Sequence, residues 1–265
     1  MPALDSTALN PSHAPLASRD DWRSSSVDDL SAHLGSSRNP PEHLLPVLAR
    51  AWTNAALAAH AAVAAYARFA LQLMNLGAPP QLLHGCSQAM QDEVAHAQAC
   101  FSLARRYAGH DVGPGPLPAA ELAPDGDLTS VVLEVVQRGC IREAVGALCA
   151  REALEHCQDA ATREVLVRHQ AAKAQQAQLA WRFVAWALRA AGRELPDHVR
   201  VAFLTALSPE PSPGLLGERE RTLLRYGVLS EPQRTALMQR ILREVVLPCM
   251  EALLARSDAP RASME

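Results

Sequence analysis

Glu93 and His96 stand three positions apart in the stretch Asp92-Glu93-Val94-Ala95-His96. On a helix that spacing puts both side chains on one face. A carboxylate and an imidazole one turn apart, turned into a helix bundle, form a metal-ligating unit. The same two groups can move protons instead, because burial and neighbouring charge shift their pKa values toward useful ranges. Which chemistry applies depends on what the other helices bring to this level.

The composition favours helices. Of 265 residues, 49% are hydrophobic and only 4% aromatic, and Ala and Leu dominate, a mixture that suits helix far better than strand. A first long helix is expected from Glu42 or Leu45 to Leu76, with Trp52, Ala59, Tyr66, Phe69 and Leu73 on its inward face. Gly77-Ala78-Pro79-Pro80 ends it. A second runs from Pro80 to about Tyr107, and its inward face carries Glu93 and His96. A Pro/Gly-rich connection follows to Asp127, too long for a tight hairpin. The third helix starts at the capping region Asp127/Thr129 and reaches about Cys157. The fourth runs from Thr162 to about Ala191 and ends at Gly192. Two αα-hairpins joined by a long crossover make an all-α four-helix bundle over residues 43–195.

Outside the bundle, residues 1–42 read as a mobile polar lead with one short helix over 27–34. Residues 196–256 read as further helices packed on the bundle, the last begun by a Ser230/Gln233 capping box, and 257–265 as a tail. The formal net charge of −3 and the lack of a Lys/Arg-rich stripe argue against a nucleic-acid partner. No charged-then-apolar leader is present at the start, and no apolar segment is read as long enough to span a bilayer. A cytoplasmic location without membrane contact is therefore expected. The six cysteines show no paired CxxC spacing, so buried free thiols are expected.

The second and fourth helices align without gaps, residues 92–101 against 172–181. Ala, Gln and aromatic positions coincide, Glu93 falls on Lys173, and His96 on Gln176. The first and third helices align so that Glu143 falls on Ala59. Leu76-Gly-Ala-Pro-Pro80, Asp92-Glu-x-x-His96, Gly139-Cys-Ile-x-Glu143, Leu179-Ala-Trp-Arg-Phe-Val-Ala-Trp186 and Arg243-Glu-Val-Val-Leu-Pro-Cys249 together resemble the ferritin-like (di-iron carboxylate) family and its myxobacteria-like branch.

That resemblance implies a site with a Glu from each of two helices and a Glu-x-x-His from each of the other two. Glu93, His96 and Glu143 match it, while Ala59, Lys173 and Gln176 depart. An ammonium at a ligand position repels a cation. With Lys173 charged and His96 protonated, the two carboxylates would already be balanced without metal. The expectation is a core without cofactor, in which Lys173 and His96 replace the metals' charge.

Glu93, His96, Glu143 and Lys173 are thus the candidate catalytic groups. Ala59, Tyr66, Gly139, Gly146, His169 and Gln176 are candidate pocket residues. Ala59 in place of Glu and the two glycines flanking Glu143 predict a void between helices one, two and three, and Tyr66 can donate into it. Three readings of function stay open. The first is a metal-independent protein or biosynthetic enzyme acting on a small organic molecule by proton transfer, rearrangement or cyclisation. The second is a non-enzymatic scaffold. The third is a single iron or manganese held by Glu93, His96 and Glu143 for oxidation chemistry. A small organic molecule is the expected partner, and a homodimer stays open.

Overall fold

In the computed structural model, which describes residues 16–17, 19, 21–33, 39–117, 126–190, 194–206 and 217–258, the described chain is all-α apart from one two-residue ladder. In that ladder β1 (Leu16–Ala17) pairs antiparallel with β2 (Gly113–Pro114), with Leu16 opposite Pro114. Residues 207–216 of the C-terminal region and the fourth helix's expected terminus at Gly192 lie outside the described residues. So do residues 1–15 of the lead segment and the tail from 259 onward.

Local chemistry sets the ends of the long helices. A 3-10 turn (Glu42–Leu44) leads into α2 (Leu45–Asn75), which carries Pro in its first turn. At its far end Gly77 adopts φ +64°, and Ala78 N donates to Leu73 O at 2.9 Å. This closure needs a left-handed residue, which glycine supplies without strain. Next, α3 (Pro80–Ala108) ends at Gly109 with φ +74°. The helix α4 (Leu128–Val135) is capped by Asp127, whose Oδ1 accepts from Ser130 N at 2.8 Å. After α5 (Ala144–His156), the chain turns into α6 (Ala160–Ala190) at Asp159. The Asp159 carboxylate accepts from Thr162 N at 2.9 Å and from both Arg106 terminal nitrogens at 3.1 and 2.9 Å. One buried side chain thus caps α6 and ties its start to α3.

The third long helix is not the uninterrupted α-helix its periodicity predicts. Between α4 and α5 it winds as a π-helix over Val136–Glu143, a conformation that is rare and often found at functional sites. The four long helices form a bundle-like layer arrangement. Here α3 lies along α2, and α6 packs on α3, α5 and the π-helical segment. Their inward residues join one apolar core.

Two further groups of helices dock on this frame. In the lead segment, α1 (Ser25–His33) packs against α3 and α6, with Val27 buried and Ser24 N donating to Ser102 Oγ at 2.9 Å. This part of the lead is therefore packed rather than loose. At the other end come α7 (Leu195–Leu204), α8 (Glu218–Arg225), α9 (Glu231–Ile241), a π-turn (Leu242–Val246) and α10 (Leu247–Asp258). The Ser230/Gln233 capping box opens α9. Phe203 of α7 stacks on Trp181 of α6 with ring centres 5.3 Å apart.

Two composition-based expectations need correction. The segment Glu42–Asn75 is long and apolar enough to cross a membrane by length and composition, because its Ala-rich stretch contains few charges. A core helix passes the same test, and α2 is packed along α3. The cysteines are free thiols, but Cys249 is exposed rather than buried.

Candidate functional site

The bundle interior gathers Glu93 from α3, Glu143 from the end of the π-helical segment, and Lys173 and Gln176 from α6. Lys173 Nζ lies 2.7 Å from Glu93 Oε1 and 2.7 Å from Glu143 Oε2. Gln176 Nε2 donates to the same Glu93 oxygen at 2.8 Å. Tyr66 OH, from α2, donates to Glu143 Oε1 at 3.3 Å. The three charged side chains are 3%, 14% and 13% exposed for Glu93, Glu143 and Lys173. Lys173 reaches this position across Gly146, where a Cβ would meet the lysine Cδ at 3.5 Å.

The electrostatics follow from that geometry. Burial would lower the Lys173 pKa, but the Glu143 and Glu93 carboxylates overcome it and hold it above the ordinary lysine value. For Glu143, burial wins in the other direction. It raises the carboxyl above its usual range although Lys173 and the Tyr66 hydroxyl oppose the shift. Burial also pushes the Tyr66 phenol well above its ordinary value, helped by the Glu143 and Glu93 charges. One ammonium thus faces two carboxylates, and the surplus negative charge is relieved most easily by a proton on Glu143.

His96 plays no part in that balance. Its ring stacks on His169 of α6, centres 3.8 Å apart and planes 14° apart. Its Nε2 lies 3.5 Å from Cys100 Sγ. Burial, with the Lys173 charge behind it, takes the His96 pKa down to about 3, and His169 falls well below its ordinary value for the same first reason. Both rings are neutral at pH 7. The expected protonated His96 is therefore corrected: Lys173 alone supplies the core's positive charge.

The same atoms bear on whether a metal fits. A di-iron site needs the space between its carboxylates, and here Lys173 Nζ fills it. For the third reading, one metal on Glu93, His96 and Glu143, the His96 ring stacks on His169 and has Cys100 Sγ 3.5 Å from its Nε2. Among the described residues, no three His, Cys, Asp or Glu side chains come together in a way that could hold a metal ion. The residues present do not fit such an ion.

A cavity of about 210 Å³ reaches this network from outside. It lies between α2, the α4/π-helical segment and α6, not between helices one, two and three as Ala59 had suggested. Its inner wall includes Tyr66, Glu143 and Gln176, its sides Ala62, Phe69 and Leu179, and its rim Arg138 and Arg142. Of the expected pocket residues, Tyr66, Gly139 and Gln176 line it. Ala59 is buried in α2 while its neighbours Ala58 and Ala62 do the lining. Gly146 meets Lys173, and His169 meets His96. Gly139 serves close packing, since a Cβ there would overlap Ala180 Cβ. Among the expected catalytic groups only Glu143 lines the cavity. Glu93 and Lys173 stand behind it, as groups that position and charge-balance it.

Sequence reasoning missed the rim. Arg138 and Arg142 lie off the Glu143 face of an ideal α-helix, and only the wider π-turn brings them to the same opening. Glu134, one turn before Arg138, pairs with Arg68 of α2 and lies 3.4 Å from Arg138 Nε. The opposite charges of Arg68 and Glu134 were readable, but their meeting across the cavity was not. No protein-family model, no curated protein and no solved structure matches this chain.

Proposed function

We propose that this chain is a ferritin-like helical protein whose metal ligands have been replaced by an internal ion-pair network, and that it binds a small organic molecule in the cavity beside Glu143. The observation that carries the reading is Lys173 Nζ bridging Glu93 and Glu143 at 2.7 Å each, beside a cavity lined by Glu143, Tyr66 and Gln176. A pre-formed, mostly apolar cavity ending in a few convergent polar groups is the usual form of a small-molecule site. Glu143, with its raised pKa, is suited to give and retake a proton on a bound molecule, which makes a metal-independent proton transfer or rearrangement the accessible chemistry. Lys173 and Glu93 hold Glu143 in place and tune it.

The test is a ligand-observed NMR screen of fragments of about ten non-hydrogen atoms, run on the full chain and on Ala62→Phe, which fills the cavity. Hits that bind the native chain and vanish from a folded Ala62→Phe support the reading. No hits, or hits indifferent to the substitution, overturn it. Iron or manganese content after loading and desalting checks the metal-free part, where stoichiometric retention would count against it.

A second reading, a non-enzymatic scaffold, draws on Val201 and Leu204 of α7 and Val245 near α10, which are 58%, 46% and 40% exposed. Scattered exposed side chains are common on monomers, so the cavity is the weightier observation.

A further inference from the structure

The cavity's polar ends are unlike each other, and the difference specifies what fits between them. At the inner wall the donors are turned to protein carboxylates. Gln176 Nε2 donates to Glu93, and Tyr66 OH donates to Glu143. Lys173, behind the wall, is bound between both carboxylates. Acceptors are left over. Gln176 is 2% exposed and its Oε1 has no hydrogen-bond partner. An amide acceptor left alone in a buried position carries a desolvation penalty, and its orientation is fixed because the other end of the amide must donate to a carboxylate. The Glu143 carboxylate and the Tyr66 oxygen have further lone pairs beside it. The core's surplus negative charge, which a proton on Glu143 relieves when nothing is bound, can be relieved instead by a bound cation.

The rim is the reverse. Arg138, 44% exposed, reaches Glu134 only at 3.4 Å, and Glu134 is already held by Arg68. Arg142 is exposed on the next turn and has no ion-pair partner among the described residues. Three guanidiniums against one carboxylate leave the opening rich in donors and positive charge. Between the two ends, Ala62, Phe69 and Leu179 offer apolar walls. A cavity of 150 Å³ takes a benzene ring, so about 210 Å³ has room for roughly ten non-hydrogen atoms.

We infer that the cavity selects a small zwitterion, with an ammonium group at the inner wall against the Glu143 carboxylate beside Gln176, an apolar body along Phe69, and a carboxylate at the Arg138/Arg142 rim. The inference rests on the small-molecule reading above and narrows it to one substrate class. An ammonium supplies donors to the Glu143 lone pairs and brings the positive charge that a proton on Glu143 otherwise provides. A carboxylate meets guanidinium donors in the geometry they favour.

The test uses four rigid probes of graded chemistry, titrated into the full chain and followed by calorimetry and ligand-observed NMR. They are 4-(aminomethyl)benzoate, benzylamine, benzoate and toluene. The zwitterion is expected to bind at least about tenfold more tightly than either singly charged probe, each lost ion contact being worth more than 1.4 kcal/mol. Glu143→Gln should remove the advantage over benzoate, and Arg142→Ala the advantage over benzylamine. Arg142 is exposed, so that variant keeps the test informative even if Glu143→Gln fails to fold. Benzoate binding as tightly as the zwitterion overturns the inner ammonium site, and benzylamine doing so overturns the rim site. Toluene binding best, or all four alike, overturns the class while leaving the cavity reading standing. If none binds, and the fragment screen is also empty, both fail together.

Discussion

An ammonium set between two carboxylates supplies, inside a low-dielectric core, the positive charge that a metal would otherwise bring. The cost of leaving those carboxylates unpaired is what keeps it there. Removing Lys173 while keeping Glu93 and Glu143 strands buried charge, and Lys173→Met should lower unfolding free energy by about 3–5 kcal/mol. Adding Glu93→Gln and Glu143→Gln should return most of that loss, because the penalty lies in the uncompensated charge and not in the missing methylenes. Urea unfolding of the single and triple variants measures both, and equal destabilisation would remove the charge argument. A second expectation concerns His96 and His169, stacked together with Lys173 and Cys100 beside them. Both have folded pKa values below the unfolded value of about 6.5, so their stabilising contribution is complete above pH 6.5 and is lost as pH falls toward 3 for His96. Glu143 runs the other way. Its raised folded value contributes below the ordinary carboxyl pKa, and that contribution is lost as pH rises through the folded one. The His term is therefore read as a difference. Stability of the native chain should fall more steeply between pH 6.5 and 4 than that of His96→Phe/His169→Phe, by up to about 1.4 kcal/mol per pH unit for each histidine. Parallel pH curves would refute it. The coincidence of Glu93, Glu143, Lys173 and Gln176 was legible because an internal repeat aligns their helices. The direction of His96 was not, since a ring on another helix decides it.

Capping side chains were readable in the sequence because they act within four residues. Asp127, Gly77, Gly109 and the Ser230/Gln233 box all stand where helices begin or end. The π-helical winding of Val136–Glu143 was not readable, because it shows itself only where that segment meets other helices. It displaced the expected cavity to the α2–α6 side of helix three. The two glycines flanking Glu143 separate close packing from open space. At Gly139 an added Cβ would overlap Ala180 Cβ, whereas at Gly146 it would meet Lys173 Cδ at an ordinary 3.5 Å. Gly139→Ala should therefore destabilise by about 1–3 kcal/mol through forced separation of the π-segment from α6. Gly146→Ala should be neutral or stabilise by up to about 1 kcal/mol, from helix propensity and a less flexible unfolded chain. Thermal and urea unfolding of the pair check this, and a reversed order would mean that α6 does not approach the π-segment as closely as described.

The helices after residue 194 continue the bundle's core instead of forming a second one. Val199 and Phe203 of α7, Leu223 and Leu224 of α8, and Leu242, Val246, Met250 and Leu254 farther on are buried in the same contiguous cluster as Phe183 and Val184 of α6. Their position was legible only as amphipathic helices with a good N-cap, because which face of the bundle they cover depends on pairings such as Phe203 with Trp181 and Gln137 Nε2 with Ala202 O at 2.8 Å. A shared core means shared cooperativity. Unfolding exposes this apolar surface together, so α4, α5, α6 and the π-segment all lose partners when the C-terminal helices melt. Far-ultraviolet circular dichroism and tryptophan fluorescence should report one coincident transition. Trp181 is a built-in probe of the α6–α7 contact, and Phe203→Ala should move the whole transition by about 3–5 kcal/mol. If Phe203→Ala instead splits the melt, with fluorescence changing first while most of the helical signal persists, the C-terminal helices form a separate unit. The π-segment beside Glu143 would then lose the brace that Gln137 and α7 give it.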